Sequence, residues 1–308
     1  MSTGAAARTG SSRERVVLGI LGGSGFYDVA GAEDGIEHLE SVEISTPFGP
    51  TSAPLRIGRI ERPAGPPLDV VFLPRHGMGH VLLPSEVPYR ANVHAMRQLG
   101  VTHLVSVSAV GSLQEDIEPG DFVLADQFID RTRHRDDTFF GAGIVAHVQF
   151  GDPVDAALHA RLVERAQAAG IRHHARGTCV VIEGPTFSTR AESELYRAWG
   201  AHVVGMTALP EARLAREAEI AYALVAMATD YDCWREEAGE VSVEAVLEVM
   251  RANVARARAL VVDLARHLPV SAADLPPPRA LDGAIATHPD HIAEPARRRL
   301  RALVGDYL

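Results

Sequence analysis

The chain has 308 residues, 46% hydrophobic and 23% charged, enough apolar material for a sizeable core in one large domain or two small ones. The 30 Lys and Arg against 40 Asp and Glu give a formal charge of −10, which lacks the basic footprint of a general nucleic-acid binder but leaves room for local capture of a small anion. Two cysteines, Cys179 and Cys233, with no CxxC pair, argue against a disulfide framework and a thiolate zinc site.

Residues 1–14 have no apolar stretch of the secretory type and read as a disordered tail. No apolar run approaches a membrane span, so the expected compartment is the cytoplasm. "RVVLGIL" (15–21) reads as a buried strand ending in a Gly-rich turn, "GGSGFYD". The spacing G-x-x-G-G-x-G is not that of a dinucleotide fold, and no clean apolar helix follows it. A bare backbone turn and an anion nest built with Ser24 both remain open.

"LRIGRI" and "LDVVFL" read as strands flanking a Pro/Gly turn. The second ends in "PRHGMGH", which puts Arg75 and His76 at a strand's carboxyl end. A metal, an anion and an ordinary polar turn each fit that placement. Gly77 and Gly79 make a helical His76/His80 metal pair a poor fit.

Residues 85–99 show helical spacing, and "HLVSVSAVGS" (103–112) reads as a strand whose small residues, Ser108 and Ala109 among them, let a ligand approach the backbone. "DFVLADQFID" (121–130) reads as one more strand. A helix over 152–169 is expected to be capped by Asp152. The strand "GTCVVIEGP" leads to a helix for which Ser188 is the expected cap. "HVVGMT" is a strand, "PEARLAREA" a helix and "IAYALVAMATD" a long strand. Asp230 and Asp232 follow at i, i+2 spacing, which suits either an acidic turn or a pair that shares protons and recognises ligand donors. A long amphipathic helix spans 242–268, then a Pro-rich linker (269–282) and a last helix at about 294–304. Alternating strands and helices give an α/β fold with a largely parallel or mixed sheet, one domain over 15–268 and an appended helix.

Taken in order, "GGSGFYD", "TPFGPTSAP", "PRHGMGH", "VPYRANVHAMRQLG", "SAVGSLQEDIEPGD", "DQFIDRT", "EGPTFSTRAES", "VVGMTALPEARLAREA" and "MATDYDCW" resemble the methylthioadenosine phosphorylases, within the trimeric branch of the purine nucleoside phosphorylase family. The resemblance covers roughly residues 15–268. It implies a single-domain α/β fold around a mixed, partly barrel-closed sheet, assembled as a homotrimer or a dimer of trimers. It also implies phosphorolysis of a purine nucleoside with phosphate as co-substrate and no metal or organic cofactor. For methylthioadenosine the products are adenine and S-methyl-5-thioribose 1-phosphate.

Carried over by motif, the phosphate ligands are Ser24, Arg75, His76, Ser108, Ala109 and Thr207, with Arg75 offering a charged fork and His76 a ring N–H. The ribose lies along Met206, near Val204. The base stacks on Phe187 and meets Ser188, Asp230 and Asp232. Asp230, with a pKa raised by burial and by Asp232, is expected to protonate the leaving base. Val243 and Val246 line an apolar 5′ pocket, and His147 reaches it from a neighbouring subunit. Gly205 and Thr186 depart from the pattern of many relatives and leave the choice of base open. A 6-oxopurine phosphorylase of the same fold is the nearest alternative, and a non-catalytic nucleoside-binding protein a more distant one.

Overall fold

The computed structural model describes residues 14–23, 36–235 and 243–308, without the side chains of 38, 39 and 243–247. In chain order the strands and helices are β1 (Val17–Gly22), β2 (Ile36–Val42), β3 (Leu55–Ile60), β4 (Leu68–Pro74), α1 (Tyr89–Gln98) and β5 (His103–Ser112). Next come β6 (Phe122–Val123), β7 (Gln127–Arg131), α2 (Ala156–Ala168), β8 (His173–His174), β9 (Thr178–Ile182) and α3 (Arg190–Ala198). The last are β10 (Val203–Gly205), α4 (Ala208–Glu217), β11 (Ala221–Asp230), α5 (Val243–His267) and α6 (Glu294–Val304). No helix among the described residues is long and apolar enough to cross a membrane.

Among the described residues eleven strands form one mixed sheet in the order β2-β3-β4-β1-β5-β10-β9-β7, with β11 against β5 and β6, and β8 against β6. The centre is parallel: β1 runs with β4 and β5, and β5 with β11. These strands are continuous apolar runs because helices cover both faces of a parallel sheet. Every residue of β11 from Ala221 to Thr229 is buried.

The sheet divides at β5. One edge of β5 pairs with β11 from His103 to Gly111. The other pairs with β1 through Val107 and antiparallel with β10 at Gly111 and Ser112. Between these partners, residues 108–110 face a gap where β1 and β10 diverge. Crevices at such switch points, beyond the carboxyl ends of strands, are where open α/β sheets bind ligands.

Several expected elements move. "DFVLADQFID" breaks into β6 and β7, because Phe122 and Val123 pair with β11 and β8 while 127–131 pairs with β9. The cap expected at Asp152 is Asp155, whose Oδ1 accepts the Leu158 N–H at 2.9 Å. The cap expected at Ser188 is Thr189, which forms a reciprocal capping box with Glu192. The segment expected to be a linker packs against the domain: Ala272 donates to the Glu14 carbonyl, and Leu275 and Leu281 are buried in the main core. Helix α6 buries Ala296, Leu300, Leu303 and Val304 in that same core.

Candidate active site

The phosphate side of the crevice is assembled from four chain segments. Gly23 donates its N–H to the Val107 carbonyl at 3.1 Å, and Arg75 donates its own to Gly22 at 2.9 Å. These bonds lock the ends of β1, β4 and β5 together. A Cβ at Gly23 would lie 2.8 Å from the Val107 oxygen and 2.9 Å from Arg75 Nη1. Glycine is therefore required there by the close approach of the three strand ends. Across the gap, the hydroxyls of Ser108 and Thr207 stand 3.0 Å apart, both residues 6% exposed. Arg75, His76, Ser108, Ala109 and Thr207 are thus brought together; Ser24 lies outside the described residues.

Arg75 does not present an open fork. It is fully buried, and its Nε and Nη2 bond to the Glu211 carboxylate. Nη2 also donates to Ser106 Oγ at 2.6 Å, and Nη1 to the Val107 carbonyl at 3.2 Å. Burial alone would lower the pKa of Arg75, but the Glu211 charge and hydrogen bond more than reverse this and hold it above its ordinary value. Glu211 also accepts from the hydroxyls of Ser106 and Tyr222. The guanidinium corner left free of Glu211 is Nη1, the atom that abuts Gly23. Glu211 lies in the "PEARLA" motif, but nothing in its local sequence points to a partner 136 residues away.

His76 differs from expectation in a related way. Its Nδ1 lies 2.9 Å from the Leu82 carbonyl, which only accepts, so Nδ1 carries the hydrogen. Burial and the Arg75 charge depress its pKa to about 4. The neutral ring then offers Nε2 as an acceptor, suited to a protonated phosphate oxygen, and the expected ring N–H is spent on Leu82. The ring stacks on His80 at 4.3 Å between centroids. Among the described residues no group of three or more His, Cys, Asp or Glu side chains is placed to hold a metal ion.

The base side lies three residues further along β5. A Cβ at Gly111 would stand 3.1 Å from Asp230 Oδ1, 3.2 Å from the Asp232 Cβ and 3.3 Å from Val204 Cγ1. One glycine thus gathers both carboxyl side chains and the floor of the crevice. Val204 packs in a small second core with Leu113, Val180, Ile182 and Tyr196, against which Met206 and Trp234 rest. Both oxygens of Asp230 are engaged: Oδ1 accepts the Asp232 N–H at 2.8 Å and Oδ2 the Thr229 hydroxyl at 2.7 Å. Asp232 sits at φ 50° on a single helical turn, Asp232–Trp234, and its Oδ2 is buried without a partner. The Ser188 hydroxyl is likewise buried and unpaired, and the buried Ser193 hydroxyl lies beside Asp232. Burial raises the pKa of Asp232; the Ser193 hydroxyl opposes the rise and the Asp230 charge adds to it. The family resemblance implies Asp230 as the proton donor, and in the structure both oxygens of that residue are engaged.

Four other expected site residues lie at the surface or outside the described residues. Phe187 stands out at 79% exposure. Val243 and Val246 open α5, but their side chains lie outside the described residues. His147 is exposed on a loop, its backbone N–H donated to the Ala284 carbonyl at 2.9 Å, and the contact expected of it is with a neighbouring subunit.

Residues 17–266 match the family model described as the phosphorylase superfamily. The chain belongs to the phosphorylase superfamily. Among its superfamily relatives, the S-methyl-5'-thioadenosine phosphorylase of Rhodospirillum rubrum is 50% identical over 298 residues, covering 95% of this chain and 97% of the relative. That of Geobacter sulfurreducens is 48% identical, with 95% and 99% covered. Among solved structures, a methylthioadenosine phosphorylase from an antarctic soil metagenomic library superposes with a TM-score of 0.84 at 42% identity, covering 94% of this chain and 99% of that one. An adenosine/methylthioadenosine phosphorylase variant from Schistosoma mansoni, in complex with methylthioadenosine, gives 0.73 at 37% identity, with 81% and 90% covered. The α/β fold with its mixed sheet is the fold of this superfamily.

Proposed function

We propose that this chain is an enzyme that phosphorolyses S-methyl-5'-thioadenosine to adenine and S-methyl-5-thioribose 1-phosphate. The observation that carries the reading is the division of the β5 edge. A polar cluster around Ser108 and Thr207, backed by a buried guanidinium, lies at one end, and two carboxyl groups gathered on Gly111 lie at the other. A nucleoside laid along 108–111 has its ribosyl bond between a phosphate and a proton source. Relatives such as one 50% identical and one 45% identical over nearly the whole chain carry that activity in their names.

As the bond to the base stretches, positive charge develops on the sugar and negative charge on the base. Phosphate held at Ser24, Arg75, His76, Ser108, Ala109 and Thr207 stabilises the first. A carboxylic acid relieves the second by protonating the leaving base. Asp232 is suited to that step, because its Oδ2 is unpaired and burial keeps its proton to higher pH. Asp230, an acceptor braced by Thr229, suits the 6-amino group of adenine and disfavours a 6-oxo group. Phosphate is a co-substrate, and the reaction calls on no metal or organic cofactor.

The working assembly is a homotrimer, with a dimer of trimers as its larger form. His147 then reaches the 5′ pocket of the adjoining protomer beside Val243 and Val246, and Phe187 covers the base. Exposed apolar residues at Met78, Val81, Leu83 and Val145 offer surface for such an interface.

The test is base release from methylthioadenosine, adenosine and inosine, with and without phosphate. Phosphate-dependent adenine release, fastest from methylthioadenosine, is expected. Preference for inosine would move the chain to the 6-oxopurine branch, and binding without turnover would make it a nucleoside-binding protein.

A further inference from the structure

Arg135 is almost wholly buried, its side chain 2% exposed. Its guanidinium serves six acceptors drawn from three turns. Nη1 donates to the Met206 carbonyl at 2.7 Å, the Leu209 carbonyl at 2.8 Å and the Tyr89 hydroxyl at 3.1 Å. Nη2 donates to the carbonyls of Glu183 at 2.7 Å and Ile182 at 3.4 Å. Nε donates to the Glu183 carboxylate at 3.2 Å, which also takes the Arg133 N–H at 2.6 Å. Leu209 is the one non-helical residue inside α4, at φ −117° and ψ 136°, so its carbonyl leaves the helical ladder and needs this donor.

We propose that Arg135 is a positioning residue for the phosphate side of the site, acting through the peptide between Met206 and Thr207. That peptide is trans and planar, so its carbonyl and the following N–H point in opposite directions. Arg135 holds the Met206 carbonyl, so the Thr207 N–H of the same peptide is directed away from the guanidinium. That N–H belongs to the residue whose hydroxyl stands 3.0 Å from Ser108. The same cation holds the Glu183 carbonyl just before Gly184, whose α-carbon lies so close to Met206 that a Cβ would meet Sδ at 2.6 Å. Arg135 thus sets the height of the Met206–Thr207 turn relative to the β5 edge. A lysine supplies the charge, but its single ammonium cannot span carbonyls on three turns.

This inference rests on the phosphorolysis reading and is tested in Arg135→Ala, Arg135→Lys and Glu183→Gln by separate phosphate and nucleoside saturation curves. The expected result is a rise of roughly tenfold or more in the phosphate KM of Arg135→Ala, a charge-assisted network having been lost, against a small change in the nucleoside KM. Millimolar guanidinium should restore part of the phosphate affinity, Arg135→Lys should remain impaired, and Glu183→Gln should show the same split more weakly. Where Arg135→Ala fails to accumulate as folded protein, the lysine and Glu183 variants decide. Equal changes in both KM values, or no rescue of a folded alanine variant, overturn the proposal. A wild-type protein without phosphate-dependent turnover sinks the functional reading instead. The positioning role is then judged by the rise in thermal midpoint that phosphate produces, which the variants should lose.

Discussion

Asp230 Oδ1 accepts the backbone N–H of Asp232 at 2.8 Å, so the first carboxyl group braces the turn that presents the second. The pair is therefore asymmetric: Asp230 has both oxygens engaged, and Asp232 keeps an unpaired buried Oδ2. Different consequences follow for the two asparagine variants. Asp230→Asn keeps an oxygen for the turn but replaces the other acceptor with a donor. Adenine preference over a 6-oxopurine is expected to narrow by roughly tenfold to a hundredfold, as a buried polar mismatch of about 1–3 kcal/mol is removed. Competition between methylthioadenosine and inosine measures this.

Asp232→Asn removes the titrating group. Because burial raises the Asp232 pKa, its acid form persists above the usual carboxylate range, and turnover in the wild type should fall as pH rises through that raised value. The variant is expected to lose on the order of 10²–10⁴ in kcat and to lose that limb of the pH profile. A variant with an unchanged profile assigns the proton elsewhere.

Glu211 is the countercharge of Arg75, and both side chains are 1% exposed. Glu211→Gln leaves a buried guanidinium facing a neutral amide. Breaking one half of such a pair costs about 3–5 kcal/mol, so a large drop in denaturant midpoint is expected. Phosphate saturation should weaken as well, since the corner of Arg75 at Nη1 is aimed by the Glu211 contacts at Nε and Nη2. Equilibrium unfolding and phosphate titration of the same variant read both effects.

Much of this site is legible in the sequence because its backbone is local. Strand ends, Gly-rich turns and the i, i+2 carboxylates are each contained in a few residues, and the alternation of elements gives the sheet its class. What is not legible is pairing at a distance. Arg75 reads as a fork offered to an anion because Glu211, 136 residues on, is invisible to local reasoning. Arg135 reads as one more basic residue in "DRTRHRDD", although three turns converge on it. The break between β6 and β7 depends on which strands lie alongside, which hydrophobic pattern alone does not specify.

Three buried histidines contribute to the acid response. Burial lowers the pKa values of His76, His94 and His103, each to about 4. Unfolded histidine titrates near 6.5. Between those values the unfolded chain binds protons that the folded chain refuses, so stability falls as pH drops from about 6.5 toward 4. Each ring contributes up to about 1.4 kcal/mol per pH unit across that window. Urea midpoints measured from pH 7 to 4.5 should fall more gently in His94→Leu, whose ring nitrogens are both buried without partners. An identical slope in that variant would falsify the assignment.

Gly111 sits where the crevice turns from phosphate to base. Its φ lies outside the left-handed region, so an alanine meets no backbone strain and should even reduce the freedom of the unfolded chain. The obstacle is steric and local. The new methyl would stand 3.1 Å from Asp230 Oδ1, 3.2 Å from the Asp232 Cβ and 3.3 Å from Val204 Cγ1. Val204 is held by the small core beneath it, so the shift must come from the two carboxyl side chains on the exposed side. Gly111→Ala is therefore expected to leave the thermal midpoint within a few degrees of wild type and to lower kcat/KM for methylthioadenosine by roughly a hundredfold, the loss that a misplacement on the order of 1 Å inflicts on an oriented reaction. Its phosphate affinity should change little, because the polar cluster at Ser108 and Thr207 lies three residues back along β5. Activity equal to wild type in a folded Gly111→Ala protein would remove both carboxyl groups from the reacting base.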